Sequence, residues 1–109
     1  MKSDVHFGNK KLKIYFERLK DSKTEGKRLY KWISRAIEDL EKDVFCGIQI
    51  PKKLIPNDYI KKYEIDNAWK YDLPQGWRLI YSVTNKEVLI LSIILEWMHH
   101  KDYEKKFNY

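Results

Sequence analysis

The sequence predicts an α+β domain with a short N-terminal strand, an antiparallel helical hairpin, an antiparallel sheet and a short C-terminal tail. Between residues 10 and 44, apolar side chains recur every three or four positions, which is the spacing of amphipathic helices. From Ala68 onward the apolar period becomes two, which is typical of strands. The 109 residues are the length of one domain, so we treat residues 1–109 as a single unit.

The N-terminal half predicts one strand and two helices. A short extended segment, Val5 to Phe7, precedes Asn9, which can cap the first helix. The segment SKTE at residues 22–25 has the form of a capping box for the second helix, and Gly47 is expected to end that helix. Its apolar stripe consists of Leu29, Ile33, Ala36, Ile37, Leu40 and Val44. Because only a short link separates the two helices, they should pack as an antiparallel hairpin.

The C-terminal half predicts a connection, three strands and a tail. Residues 48–66 contain two prolines and predict an irregular connection with one or two helical turns near 57–63. Three strands follow as an antiparallel meander, Ala68 to Leu73, Trp77 to Thr84 and Glu87 to Trp97. The last of them is apolar on both sides, so we expect it to be the central strand, with helices covering one face. The tail, His99 to Tyr109, predicts a short charged helix.

Composition excludes three classes of protein. The single cysteine, Cys46, excludes an internal disulfide and indicates a reducing compartment, so we expect a cytoplasmic protein with an inert, buried thiol. The longest apolar run, Val88 to Leu95, is shorter than the roughly 18 residues of a membrane span, and no apolar stretch near the N-terminus has the form of a signal peptide. With 43% hydrophobic residues the chain can build a core, unlike a disordered protein.

The net charge of +6 is unevenly distributed. Residues 1–35 hold eleven basic and four acidic side chains, residues 36–43 hold one and four, and residues 44–109 hold ten and eight. A basic surface is typical of nucleic-acid partners, because Lys and Arg on phosphates release condensed counterions. We therefore expect the first two helices to form a docking surface for nucleic acid.

The sequence contains no motif for a metal or a nucleotide cofactor. His99 and His100 are adjacent and lack a matching Cys or His pair at ligand spacing. The four glycines do not form a phosphate-binding loop. We expect no metal and no cofactor.

Polar residues of the strands are the remaining candidates for chemistry. Arg78 shares a strand face with Ile80 and Ser82, and we expect it to open onto a face that the helices leave uncovered. A guanidinium on a rigid strand can clamp a phosphate through two oxygens. Lys70 alternates in the same way on the preceding strand. The alternative is that these residues belong to a solvated strand face.

Cleavage of RNA without a metal needs a base for the 2′-hydroxyl proton, an acid for the leaving oxygen and a cation for the phosphate. His99 or His100 can act as acid or base, since imidazole titrates near neutral pH. Arg78 and Lys70 can hold the phosphate, and Tyr103 or another exposed aromatic ring can stack on a base. The alternative for the two histidines is an exposed strand end.

Two segments carry a resemblance to a known family. They are WRLIY at residues 77–81 and HHKDY at residues 99–103, the second following an apolar strand. Together with the order of strand, helical hairpin and antiparallel sheet, they resemble the RelE/ParE superfamily of toxins from toxin–antitoxin systems. The order of elements covers nearly the whole chain, whereas the motifs lie between residues 68 and 107.

The resemblance implies a toxin that inhibits translation by cleaving mRNA on the ribosome, so that its partners are ribosomal RNA, mRNA and a cognate antitoxin, with no membrane. It places Arg78 at the scissile phosphate and Lys70 at a basic position of the preceding strand. Asp72 stands where some members are basic. In the tail, Lys101 adds a cation for RNA.

The tail departs from the family pattern in its acid and base. His100 stands where many members have an arginine, and Tyr103 is one residue earlier than the usual aromatic. Some members use a histidine with a carboxylate, so His99 or His100 with Glu96 is a reasonable substitute.

Two alternatives stay open. The first is a ParE-like protein that inhibits DNA gyrase by binding, and the second is a member of the same fold that has lost catalysis and only binds. The predicted antitoxin contact is a basic and aromatic surface that includes Trp32 or Trp69, unless these tryptophans are core residues.

Overall fold

The computed structural model describes residues 1–86 and 89–107 and has the predicted α+β fold. Two short 3₁₀ turns, Lys52–Leu54 and Pro74–Gly76, lie between the main elements. The main elements are β1 (Asp4–Phe7), α1 (Lys10–Leu19), α2 (Thr24–Lys42), β2 (Ile48–Gln49), α3 (Asn57–Tyr63), β3 (Trp69–Asp72), β4 (Trp77–Lys86), β5 (Leu89–His99) and α4 (His100–Lys106).

The sheet has five strands in the order β1-β5-β4-β3-β2. The predicted antiparallel meander is confirmed as β3, β4 and β5. The prediction that the last strand is central is wrong, because β1 pairs in parallel with β5 and β2 extends the other edge, which puts β4 in the middle. Residues 87 and 88 of the predicted last strand, and residues 108 and 109 of the tail, lie outside the described residues.

The predicted helices form, but their ends differ in part from the prediction. Asn9 caps α1 by accepting a hydrogen bond from the Leu12 amide at 2.7 Å. The capping box predicted at residues 22–25 is wrong, because the Ser22 hydroxyl donates to the Leu19 carbonyl at the end of α1 instead. Gly47 does not end α2, which stops at Lys42.

Gly47 has a packing role beside the sheet instead. A Cβ atom at this position would lie 2.5 Å from the Lys70 carbonyl oxygen and 2.6 Å from the Tyr81 hydroxyl. The Gly47 amide donates to that hydroxyl at 3.1 Å, and the hydroxyl donates to the Val44 carbonyl at 2.8 Å. Tyr81 therefore ties the segment after α2 to the middle of the sheet.

Both faces of the sheet carry a core. The first core lies under α1 and α2 and contains Phe16, Ile33, Ala36, Leu40, Val44, Leu73, Leu79, Tyr81 and Ile94. The second contains Ile50, Ile55, Tyr59, Ala68, Ile80, Leu95, Met98, Tyr103 and Phe107. The prediction that one face is uncovered is wrong, because α3, α4 and the connection after β2 pack on it. These elements are short, and their apolar residues show no long periodic stripe.

A bulge in β5 changes which side chains face α3. Ile80 lies opposite Glu96 and Tyr81 lies opposite Ile94, so Leu95 has no opposing residue of its own. Leu95 is buried in the second core, and the next residue, Glu96, contacts Tyr59 of α3. The side chains of Leu95 and Glu96 therefore lie on the same side of the sheet, whereas successive residues of a regular strand lie on opposite sides.

Cys46 is exposed, so the prediction of a buried thiol is wrong. It lies in the turn after α2, where its amide donates to the Asp43 carbonyl at 3.1 Å. Partial burial of the sulfur and the nearby carboxylates of Asp39 and Asp43 raise the pKa of the thiol, which disfavours the thiolate. Across residues 1–86 and 89–107, none of the helices has the length and apolar character to cross a membrane.

Candidate functional site

Two cations from neighbouring strands converge on the face of the sheet that α4 covers. Asp72 of β3 lies directly opposite Arg78 of β4, and Lys70 precedes Asp72 by two residues on the same side of β3. Lys70 Nζ and Arg78 Nε each lie 3.0 Å from Asp72 Oδ1. The structure thus brings the two predicted phosphate-binding cations together, with one carboxylate oxygen between them.

The three side chains of this cluster differ in exposure. Lys70 and Arg78 are 18% and 22% exposed, whereas Asp72 is 46% exposed. The Arg78 guanidinium is held against the backbone of β4, because its Nη1 donates a hydrogen bond to the Trp77 carbonyl at 3.2 Å. Its Nε is buried and has no well-directed hydrogen-bond acceptor among the described residues, although the charge is paired with Asp72. The two cations therefore lie on the buried side of the cluster, and the carboxylate lies on its solvent side.

Tyr103 of α4 packs next to Lys70 on the buried side of the cluster. Its ring is 4% exposed and stacks on Phe107 with 4.6 Å between ring centroids. Lys70 Nζ lies 5.7 Å from the centroid of the Tyr103 ring, within the range of a cation–π contact. The expectation of an exposed Tyr103 that stacks on a base is wrong, because α4 folds back over the sheet and buries the ring.

The two histidines lie where β5 meets α4. His99 is opposite Trp77 at the start of β4, and its ring meets the Trp77 ring edge-on at 5.7 Å. The His99 and His100 rings are 4.4 Å apart. Gly76, with φ of 81°, lies directly against both rings, since a Cβ atom there would be 2.6 Å from His100 Cδ2 and 3.3 Å from His99 Nε2. The histidine pair is thus fixed next to the strand that carries Arg78.

Glu96 is held away from the histidines. The Tyr59 hydroxyl donates to Glu96 Oε2, and Lys106 Nζ lies 3.5 Å from the same oxygen. Burial, followed by the hydrogen bond to Glu96, raises the pKa of Tyr59 far above its ordinary value, so this phenol stays a donor. In the described part of the chain no hydrogen bond or ion pair joins Glu96 to His99 or His100. The carboxylate that lies beside His100 is Glu104, at 3.7 Å.

An apolar groove lies between α1, the start of α2 and the sheet. It has a volume of about 340 Å³, and Tyr15, which is largely exposed, forms one wall. The Tyr15 and Trp97 rings lie 5.8 Å apart, and Trp77, which contacts His99, also lines the groove. This groove offers aromatic surfaces to a flat ligand, in place of the buried Tyr103.

The predicted docking surface carries exposed basic side chains. Eleven basic residues of the helical hairpin are exposed, namely Lys10, Lys11, Lys13, Arg18, Lys20, Lys23, Lys27, Arg28, Lys31, Arg35 and Lys42. Lys101 is exposed on α4, next to His100 in the sequence. Trp32 and Trp69 are half-buried and pack against the first core. Residues 1–86 and 89–107 contain no group of three or more His, Cys, Asp or Glu side chains arranged for a metal ion.

Comparisons with family models, with curated proteins and with solved structures find no match. The resemblance to the RelE/ParE superfamily therefore stays a prediction from the sequence motifs.

Three contributors to this site were not recognised from the sequence. Glu104 follows His100 by four residues, and this spacing in a helix predicts the contact between the two side chains that the structure shows. The link between Asp72 and both cations follows from alternation on β3 and the register with β4, which a sequence shows only in part. The contact of Gly76 with the histidines has no sequence signal, because it depends on how α4 turns back.

Proposed function

We propose that this protein is a toxin of the RelE type that inhibits translation by cleaving mRNA on the ribosome. The observation that carries the proposal is the convergence of Lys70 and Arg78 on one oxygen, with Arg78 on the strand that pairs with the His99 end of β5. Two cations on the sheet, with imidazoles at the adjoining end of β5, supply the kinds of group that metal-free cleavage of a phosphodiester requires.

In the proposed reaction the RNA 2′-oxygen attacks the adjacent phosphorus and the bond to the 5′-oxygen breaks. The products are a 2′,3′-cyclic phosphate and a 5′-hydroxyl. One histidine takes the proton of the 2′-hydroxyl, and a protonated group gives a proton to the leaving 5′-oxygen. Arg78 and Lys70 stabilise the negative charge that builds up on the phosphate oxygens.

The other parts of the surface fit an RNA substrate. The aromatic groove at Tyr15, Trp77 and Trp97 lies on the α1 side of the sheet, where Trp77 contacts His99, and it can accept a base by stacking. The exposed lysines and arginines of α1 and α2 supply phosphate contacts to ribosomal RNA. In this proposal Tyr103 positions Lys70 and the carboxylate of Glu96 anchors α3 and α4.

The test is cleavage of mRNA on purified translating ribosomes. We expect Arg78→Ala to lower the cleavage rate by about 100-fold, the loss typical for removing one preorganised charge-stabilising donor. Lys52→Ala is the matched control, because it removes one positive charge from an exposed 3₁₀ turn outside the cluster. Thermal melting of each variant establishes that it is folded.

Cleavage by Arg78→Ala at the wild-type rate would contradict the proposal. A wild-type protein that leaves mRNA intact but inhibits supercoiling by gyrase would favour the ParE-like alternative instead. A wild-type protein inactive in both assays would favour the binding module.

A further inference from the structure

We infer that Asp72 Oδ1 marks the binding position of a phosphate oxygen, and that the Asp72 carboxylate is an internal anion which RNA must displace. The inference rests on the proposed function, because it concerns the same pair of cations. It adds an occupant of the site in the free protein and a residue that limits affinity for RNA.

The distances support this assignment. A single oxygen lies 3.0 Å from both Lys70 Nζ and Arg78 Nε, the separation of a charge-assisted contact. A non-bridging phosphate oxygen carries the same charge type and would take the same two donors. Only the Lys70 contact is a well-directed hydrogen bond, since the buried N–H of Arg78 Nε is not aimed at the carboxylate. A phosphate offers further oxygens to that N–H.

The order of exposure shows which member of the cluster can leave. Arg78 is held by the Trp77 carbonyl, and Lys70 lies over the Tyr103 ring. Asp72 is the last residue of β3, and its carboxylate is the most exposed group of the three. Rotation of one short side chain into solvent therefore frees both cations without moving either strand.

The charges explain why such an anion is present. Two half-buried cations that share one contact point repel each other, and Asp72 offsets this repulsion in the free protein. The same carboxylate lowers the charge that the site presents to RNA from two positive groups to a net one. Asp72 thus stabilises the free protein and weakens its binding to phosphate.

The test measures binding of a 2′-O-methyl RNA oligonucleotide, which lacks the nucleophilic hydroxyl and cannot be cleaved. We expect Asp72→Asn to bind about tenfold tighter than the wild type, the scale of one charged hydrogen bond.

Asp58→Asn is the matched control. Asp58 is also exposed and also pairs with a lysine, since its Oδ2 lies 3.2 Å from Lys106 Nζ. The variant changes the net charge by the same amount outside the cluster, so its affinity should change far less. Equal affinity of Asp72→Asn and Asp58→Asn, or weaker binding by Asp72→Asn, would overturn the inference.

Two further measurements separate this inference from the proposed function. Lys70→Ala and Arg78→Ala should each lose affinity for the oligonucleotide, and wild-type affinity in both would contradict the proposed site itself. In the wild type, the ¹⁵N NMR signal of Arg78 Nε should shift as oligonucleotide replaces Asp72. An unmoved signal at saturation would overturn the inference even if Asp72→Asn failed to fold.

Discussion

The hydroxyl of Tyr59 donates a hydrogen bond to the carboxylate of Glu96, across the contact between α3 and β5. This bond occupies the residue that the sequence suggested as the carboxylate partner of a histidine. The bulge at Leu95 turns Glu96 toward α3, and Lys106 of α4 completes its surroundings. Glu96 thus joins three elements around the second core.

We predict that Glu96→Gln leaves the cleavage rate within a few-fold of the wild type, because the Glu96 carboxylate is bound to Tyr59 and not to a histidine. A 100-fold loss of cleavage in Glu96→Gln would instead assign Glu96 a catalytic role.

We also predict that Tyr59→Phe destabilises the fold. Loss of the hydrogen bond from Tyr59 to the charged Glu96 should lower the free energy of unfolding by about 2 kcal/mol, measured by urea denaturation. Tyr63→Phe is the matched control, because its hydroxyl makes only a long contact of 3.3 Å to the Leu95 carbonyl.

We predict that Gly76→Ala impairs the site more than it impairs the fold. The positive φ of 81° strains any residue with a Cβ atom, and that atom would press on His100 Cδ2 at 2.6 Å. The histidine rings must therefore shift, and cleavage should fall by at least tenfold, since small misplacements of reacting groups cost about 100-fold. Cleavage is measured on translating ribosomes at a temperature below the melting point of the variant.

Gly26→Ala provides the comparison for this variant. A Cβ atom at residue 26 would lie 1.7 Å from Ser22 Oγ and 2.8 Å from Ser22 Cβ, so this variant also disturbs packing, but against Ser22 and not against a histidine. We expect its cleavage rate to equal that of the wild type. Equal rates for Gly76→Ala and Gly26→Ala would show that contact with Gly76 does not position the histidines.

We predict a pH-dependent effect of Tyr71→Phe. The hydrogen bond from Tyr71 holds the pKa of Asp39 below its ordinary value; burial opposes this shift and Arg35 assists it. Because the folded-state pKa is depressed, this contribution to stability is present above the unfolded-state pKa and is lost as pH falls through the folded-state pKa. Tyr71→Phe should cost about 1 kcal/mol at pH 7.

Urea denaturation at a series of pH values checks this prediction. The difference in unfolding free energy between wild type and Tyr71→Phe should be constant from pH 7 to 5 and shrink below pH 4. Burial and the hydrogen bond to Asp39 raise the pKa of Tyr71 to about 12. The stability that comes from the protonated phenol is therefore lost as the pH rises toward that value. A difference that stayed constant down to pH 2 would contradict the assigned hydrogen bond.

The local elements followed from the sequence because their signals are local. Asn9 and the apolar spacing after it indicated α1, and residues 57–63 indicated α3 with the bounds that the structure has. The meander of β3 to β5 followed from the period of two and the short turns. The capping box at residues 22–25 failed because Ser22 found a competing acceptor at the end of α1.

The sequence by itself determined the fold class, the basic hairpin and the cation-bearing strands, since periodicity and charge are properties of neighbouring residues. Only the tertiary structure decided that β4 is central, that α4 buries Tyr103, and that the Glu96 carboxylate accepts a hydrogen bond from Tyr59. It also decided that Lys70, Asp72 and Arg78 meet at one oxygen. The physical reason is that these contacts depend on strand register, on one bulge and on the return of a short helix, which local sequence patterns do not encode.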